Sequence, residues 1–299
     1  NLTKLFIHGG RYYHDFIENT PPMVFYLYSP ALAISFLFHL TAWRAFEIYF
    51  YLLAFISLIF CDILLRKIIQ DEDYLLYCIS LIFLAISFLL LNIPDFGDRE
   101  CFTIVLVMPY VLLAVVRADN KNFPILLSVF VGVMAGIGFA VKPFFIIPLV
   151  FIEIYLIAIK RTLLTWVRPE ALIALLIFIT YLYSVFIFSP EYLAKIVPLA
   201  NYLYLNVFID SSSSIYSDIN FIFMIASLTF FGVYYRQLYY RKLYAVIVAA
   251  LLGFVIVFWI PRLTWYYHAL PALTLAIFLV VAILVEMALK IFTGHKSHL

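Results

Sequence analysis

The chain alternates between long apolar runs and short polar segments. Nine runs approach the length of about 20 residues that crosses a bilayer. These runs cover residues 45–65, 74–91, 102–117, 123–141, 144–160, 170–189, 218–235, 243–260 and 269–290. They are continuously apolar, whereas the strands of a membrane barrel would alternate apolar and polar residues. Because backbone polar groups in hydrocarbon pair within their own segment, the pattern predicts an all-α polytopic bundle with about nine spanning helices.

A further apolar run at 22–41 differs from the other nine. Two prolines open it and a third interrupts it. Polar residues recur along one helical face, at Tyr28, Ser35 and His39, which is typical of a helix that lies in the membrane interface. The alternative is an ordinary spanning helix, which would place Asp15 on the opposite side of the membrane from the other polar loops.

The basic residues predict the orientation of the bundle. If 22–41 does not span, the loops on one side carry 12 Lys and Arg residues and the loops on the other side carry 7. The positive-inside rule makes the richer side cytoplasmic. The prediction is a single transmembrane domain, with an extracytoplasmic loop and interfacial helix at 1–44, a bundle at 45–290 and a cytoplasmic tail at 291–299. A second interfacial helix is expected at 190–209.

The composition agrees with this class and excludes several others. The chain is 67% hydrophobic and 12% charged, whereas soluble domains are about half apolar and a quarter charged. No P-loop, GxSxG, HExxH or dinucleotide-binding motif is present. The three cysteines, Cys61, Cys78 and Cys101, lie far apart in the sequence, so neither a disulfide framework nor a CxxC metal site is expected.

The first polar loop, HGGRYYHDFIENTPP, carries the first candidate chemistry. Asp15 and Glu18 are candidate catalytic carboxylates, and Arg11 is a candidate substrate ligand. A carboxylate near a low-dielectric boundary can have its pKa raised towards that of a general base. The alternative for both acids is a solvated position at the membrane surface.

The second loop on the same predicted side holds four charges within six residues: Asp95, Asp98, Arg99 and Glu100. Asp98 and Glu100 are candidate catalytic residues that would orient an acceptor hydroxyl, and Arg99 could hold a phosphate. No cofactor motif is present; a divalent cation bound by Asp95 and Asp98 is the one candidate cofactor that this loop offers. The alternative is a solvated connecting loop.

Two further segments lie on the predicted outer side. Lys142 separates two apolar runs, where it would contact a lipid phosphate or extend towards the interface. Arg262, Tyr267 and His268 surround a helix start, where they would bind substrate or belong to an aromatic belt. Glu153 lies deep in a predicted span and is assigned no chemistry.

Taken in order, these segments resemble the GT-C membrane glycosyltransferases, specifically the dolichyl-phosphate-mannose–protein mannosyltransferase-like superfamily. The segments that match are Tyr13-x-Asp15 before Pro21-Pro22, GDRE at 97–100, a Gly-rich helix ending in Lys142-Pro143, and Tyr267-His268-Ala-Leu-Pro271. The resemblance implies one more helix before residue 1 and assigns Asp15 the role of catalytic base. It departs at Cys101, where some bacterial relatives carry a His.

The resemblance further implies an inverting transfer of a sugar from a polyprenyl-phosphate donor, on the extracytoplasmic face of a bacterial inner membrane. The acceptor would be a glycolipid, lipopolysaccharide or protein. The expected partners are therefore this donor, this acceptor and membrane lipids, with no nucleic acid. A transporter or flippase of a lipid-linked sugar and a non-catalytic membrane scaffold are the alternatives.

Overall fold

A computed structural model describes residues 2–89, 96–206, 218–261 and 265–293. Within these ranges the fold consists of twelve α-helices, without a β-ladder. The helices are α1 (Leu2–Ile7), α2 (Pro22–Leu37), α3 (Ala42–Ile68), α4 (Tyr74–Leu89), α5 (Arg99–Ala118), α6 (Ile125–Ala140), α7 (Ile146–Lys160), α8 (Pro169–Phe188), α9 (Val197–Asn206), α10 (Ile219–Tyr234), α11 (Arg241–Trp259) and α12 (Tyr266–Thr293). Short 3₁₀ turns and one π turn, at Tyr192–Ile196, connect some of them.

The prediction of an all-α polytopic membrane protein is confirmed. Eight helical segments among the described residues are long and apolar enough to cross a membrane. α6, at 16 residues, is shorter than these and packs against α5 and α8. Each of the nine long apolar runs in the sequence forms one helix, from α3 to α8 and from α10 to α12.

α5 lies at the centre of the bundle, in contact with α3, α6, α7, α11 and α12. Its middle, from Ile104 to Val116, is apolar on every face, as expected of a helix that is surrounded by protein. All of its residues are buried except Arg99 at its start and Arg117 near its end. This buried helix therefore has one arginine at each of its ends. We call the two ends of the bundle the Arg99 end and the Arg117 end.

Glycines let neighbouring helices approach closely, as is common in membrane bundles. A Cβ atom on Gly132 would lie 2.7 Å from the Glu170 carbonyl oxygen, where α6 meets α8. A Cβ atom on Gly253 would lie 2.4 Å from Pro148 Cα, where α11 meets α7. These helices pack backbone against backbone at the two glycines.

Two contacts place α2 at the Arg99 end, one made by Tyr12 before the helix and one made by Tyr28 inside it. Tyr12, which precedes α2, packs on Tyr192, which follows the last turn of α8, with 4.9 Å between ring centroids. Within α2, Tyr28 donates a hydrogen bond to the Gly97 carbonyl at 2.7 Å and packs on Phe46 near the start of α3. α2 therefore packs against this end of the bundle, and its interfacial position in the membrane stays a prediction.

Candidate functional site

A cavity of about 350 Å³ opens at the Arg99 end. Four separate segments line it: the first loop, the start of α5, the bent segment from the π turn into α9, and the start of α12. Its lining residues are Ile17, Glu18, Asn19, Arg99, Ile196, Leu199, Ala200, Leu203, Trp265 and Tyr267. One carboxylate and one guanidinium thus face a space with aliphatic and aromatic walls.

A buried ionic cluster involves the residues next to Arg99 and Tyr267 in the sequence. Lys142 Nζ donates a hydrogen bond to Glu100 Oε1, and both side chains are almost completely buried. His268 Nδ1 lies 3.2 Å from Glu100 Oε1 and 3.2 Å from Lys142 Nζ. Burying these groups is tolerable because each charge has a partner of opposite sign within hydrogen-bond distance.

This cluster connects three elements that are distant in the sequence. Glu100 belongs to the first turn of α5, Lys142 to the hairpin between α6 and α7, and His268 to the first turn of α12. Connecting these elements fixes the backbone positions from which Arg99 and Tyr267 extend into the cavity. The three buried residues therefore hold parts of the cavity wall together, and the catalytic role of Glu100 and the substrate-binding role of His268 stay predictions.

Lys142 does not line the cavity, although its place in the sequence predicts a contact between its ammonium group and a lipid phosphate. The side chain is 4% exposed and its charge is directed to Glu100. Burial lowers the pKa of Lys142 to about 8, against the attraction of the Glu100 carboxylate, which acts in the opposite direction. Its assignment to substrate binding stays a prediction.

Two buried polar atoms of the cluster have no hydrogen-bond partner among the described residues: Glu100 Oε2 and His268 Nε2. The His268 ring stacks on Trp265, with 5.8 Å between centroids and 9° between planes. Because Trp265 also lines the cavity, the stack joins the cluster to the cavity wall.

The first loop is held by Tyr12, which is 1% exposed and packs among aromatic rings that include Phe16 and Phe25. The Tyr12 hydroxyl donates to the Thr20 carbonyl at 2.6 Å, and burial raises the pKa of Tyr12. Gly9 adopts φ +90°, a left-handed conformation that glycine adopts without strain.

Glu18 is half-buried at the rim of the cavity. Its Oε1 atom accepts hydrogen bonds from the Thr20 hydroxyl at 2.9 Å and from the Thr20 N–H at 3.2 Å. These bonds fix the carboxyl group while leaving Oε2 without a protein donor among the described residues. Of the two acids predicted in the first loop, Glu18 is the one that lines the cavity.

Asp15 and Arg11 are exposed and bond to each other's backbone. Asp15 Oδ2 accepts from the Arg11 N–H at 2.7 Å, and the Asp15 N–H donates to the Arg11 carbonyl at 2.9 Å. Neither residue lines the cavity. The catalytic role of Asp15 and the binding role of Arg11 stay predictions, and the structure shows both residues closing a turn.

The remaining predicted residues fall in two groups. Asp98 occupies the N-cap position of α5, beside Arg99. Asp95 and Arg262 lie outside the described residues. Within the described ranges, no three His, Cys, Asp or Glu side chains come together in a way that could hold a metal ion.

Several lining residues carry no signal of their own in the sequence, among them Asn19, Ile196 and Leu199. Ile196 and Leu199 are ordinary aliphatic residues in a chain that is 67% hydrophobic, and Asn19 is a polar residue in a mostly polar loop. The sequence points to Ile196 and Leu199 only indirectly, because its apolar pattern predicts an interfacial helix at 190–209. The structure bends part of that segment over the cavity through a π turn at Tyr192–Ile196 and then α9.

Comparisons with family models, with curated proteins and with solved structures give no match to this chain.

Proposed function

We propose that this protein is a membrane-embedded glycosyltransferase that moves a sugar from a polyprenyl-phosphate donor to an acceptor hydroxyl at the Arg99 end of the bundle. The observation that carries the proposal is the meeting of Glu18, Arg99 and Tyr267 around one cavity, from three segments far apart in the sequence. The Glu18 carboxylate would act as the base, the Arg99 guanidinium would bind the phosphate, and the Tyr267 ring would pack against the sugar.

The cavity suits a donor that has both a polar part, the sugar phosphate, and an apolar part, the polyprenyl chain. Ile196, Leu199 and Leu203 form an aliphatic wall that would follow the polyprenyl chain. Arg99 stands at the polar side, and none of the ion pairs among the described residues involves its guanidinium group. Its positive charge is thus available for a phosphate, which a guanidinium binds in a bidentate manner.

In the proposed reaction, the Glu18 carboxylate accepts the proton of the acceptor hydroxyl. The acceptor oxygen attacks the anomeric carbon from the face opposite the phosphate, and the new C–O bond forms with inversion. The bond between the anomeric carbon and the phosphate oxygen breaks, and polyprenyl phosphate leaves with the electron pair. Arg99 stabilises the charge that develops on the leaving phosphate.

The aromatic residues have a separate proposed role. The rings of Trp265 and Tyr267 lie 5.7 Å apart at the cavity wall. Apolar faces of a pyranose ring pack on such aromatic surfaces. The rings would therefore hold the sugar between Glu18 and Arg99, with their own positions fixed by the stack on His268.

The test is a turnover assay in liposomes that contain the purified protein. The substrates are polyprenyl-phosphate-linked hexoses and pentoses, labelled in the sugar, with lipopolysaccharide, lipid extract or protein as acceptor. We expect labelled acceptor and free polyprenyl phosphate in equal amounts. Arg99→Gln should lower turnover about 100-fold, the order of effect seen when a donor to a developing charge is removed.

Arg44→Gln is the matched control, since Arg44 is an exposed cation at the start of α3 that does not line the cavity. It should keep wild-type turnover. Movement of intact donor across the bilayer without release of polyprenyl phosphate would show a flippase instead. Failure to form product with every donor and acceptor would overturn the proposal, as would equal turnover in Arg99→Gln and wild type.

A further inference from the structure

A second cavity, of about 390 Å³, lies at the Arg117 end, on the far side of the bundle from the proposed active site. The loop between α5 and α6 and the segment between α7 and α8 form it. Its lining residues are Arg117, Asn120, Lys121, Asn122, Lys160, Thr162, Leu164, Thr165 and Arg168. Four of the nine carry a positive charge and none carries a negative one.

Two carboxylates that do not line this cavity, Glu153 and Glu170, pair with its two arginines. Arg117 forms a bidentate pair with Glu170, with Nε 2.8 Å from Oε1 and Nη2 3.1 Å from Oε2. Arg168 Nη2 donates to both oxygens of Glu153 at 2.6 Å. These pairs hold the two guanidinium groups firmly at the wall.

The charges at this site do not balance. Five cations share three carboxylates: Arg117, Lys121, Lys160, Arg168 and Lys242 stand against Asp119, Glu153 and Glu170. Two positive charges are therefore left over. A cavity with an excess of cations is suited to an anion with several oxygen acceptors.

Exposed apolar residues border the same cavity. Leu163 and Leu164 are 74% and 75% exposed, and Trp166 is 41% exposed, all in the 3₁₀ turn between α7 and α8. Leu164 also lines the cavity, together with Thr162 and Thr165 of the same segment. Leucine and tryptophan side chains at the end of spanning helices lie where the acyl chains of a bilayer begin.

We propose that this cavity binds the phosphate headgroup of an anionic phospholipid. Arg117, Lys121, Lys160 and Arg168 would surround the phosphate, and the neighbouring leucines and Trp166 would contact the acyl chains. Basic pockets between spanning helices are known binding sites for anionic headgroups. The adjoining apolar surface favours a lipid over a free phosphate ion, because an inorganic anion gains nothing from it.

The test measures the thermal unfolding of the full chain in mild detergent during titration with phosphatidylglycerol or phosphatidylcholine. Lys121→Gln/Lys160→Gln removes two cavity cations and leaves the Arg117–Glu170 and Arg168–Glu153 pairs intact. We expect phosphatidylglycerol to raise the wild-type midpoint more than phosphatidylcholine. We also expect the double variant to bind phosphatidylglycerol about tenfold more weakly or worse.

Arg66→Gln/Lys67→Gln is the control, because it removes two exposed cationic side chains that do not line the cavity from the same end. It leaves in place the Lys67 carbonyl, which accepts a hydrogen bond from Lys121. It should keep wild-type affinity. Equal weakening in both double variants, or no preference for phosphatidylglycerol, would overturn the proposal. Equal stabilisation by inorganic phosphate would also overturn it, by assigning the site to a free anion.

A second measurement does not depend on the variants folding. Phosphatidylglycerol with a photoreactive headgroup should crosslink wild-type protein within 117–122 and 160–168. Crosslinks spread evenly over both ends of the bundle would contradict the proposal.

Discussion

His268 Nδ1 lies 3.2 Å from Glu100 Oε1, which places the first turn of α12 against the first turn of α5. Lys142 completes the cluster from the hairpin between α6 and α7. The contact matters because the neighbours of these two residues, Tyr267 and Arg99, reach the cavity. A buried ionic contact thereby sets the geometry of a partly exposed site.

The Glu100–Lys142 pair should behave as a coupled buried ion pair. Lys142→Met alone leaves the Glu100 carboxylate buried without its strongest partner, and we expect a loss of about 3–5 kcal/mol of stability. The double variant Glu100→Gln/Lys142→Met should recover much of that loss, because no buried charge remains. Equilibrium unfolding in detergent, arranged as a double-mutant cycle, measures the coupling. Additive effects of the two changes would show that the pair is not coupled.

Tyr12→Phe should loosen the first loop. It removes the hydrogen bond to the Thr20 carbonyl in a buried site, at a cost of about 1 kcal/mol. Tryptic cleavage after Arg11 should become faster, and the thermal midpoint should fall. Tyr13→Phe is the control, because the Tyr13 side chain is 49% exposed and should tolerate the loss of its hydroxyl. Equal cleavage rates in the two variants would rule out an anchoring role for Tyr12.

Glu18→Gln should reduce turnover more than Asp15→Asn does in the liposome assay. Glu18 lines the cavity, whereas Asp15 is exposed and bonds to the Arg11 backbone. Removing a general base costs about 10²–10⁴ in rate, so Glu18→Gln should fall in that range while Asp15→Asn stays within about tenfold of wild type. The reverse order would return the base to Asp15, as the family resemblance implies.

Gly253→Ala should destabilise the bundle, because its new methyl group would meet the Pro148 backbone on α7. Overpacking of this kind costs about 1–3 kcal/mol. Gly232→Ala in α10 is the matched substitution, since a Cβ atom there would have no neighbour within 4 Å. It should be neutral or stabilising by up to about 1 kcal/mol, because alanine favours the helix. Thermal unfolding of both variants in one detergent makes the comparison, and an equal effect would show that the α7–α11 contact is not tight.

The sequence by itself determined the elements of the fold. An apolar run of about 20 residues has no stable alternative to a helix in a membrane, so all nine runs could be located within a few residues of the helices in the structure. It also predicted which polar residues lie together at one end, because consecutive spans alternate in direction. Arg99, Glu100, Lys142, Tyr267 and His268 fall at that end by this alternation, and Glu18 joins them if 22–41 does not span.

Only the tertiary structure decided which of these residues touch. Charged side chains at one end of a bundle can be exposed, paired or directed into a cavity, and the sequence does not distinguish these cases. Packing around α5 buries Glu100 and Lys142 as a pair while directing Arg99 to the cavity. The same packing joins Glu153 to Arg168 at the other end, a partnership between helices that no local pattern encodes. The physical reason is that pairing depends on the distance between helices, and the interlocking of many side chains sets that distance.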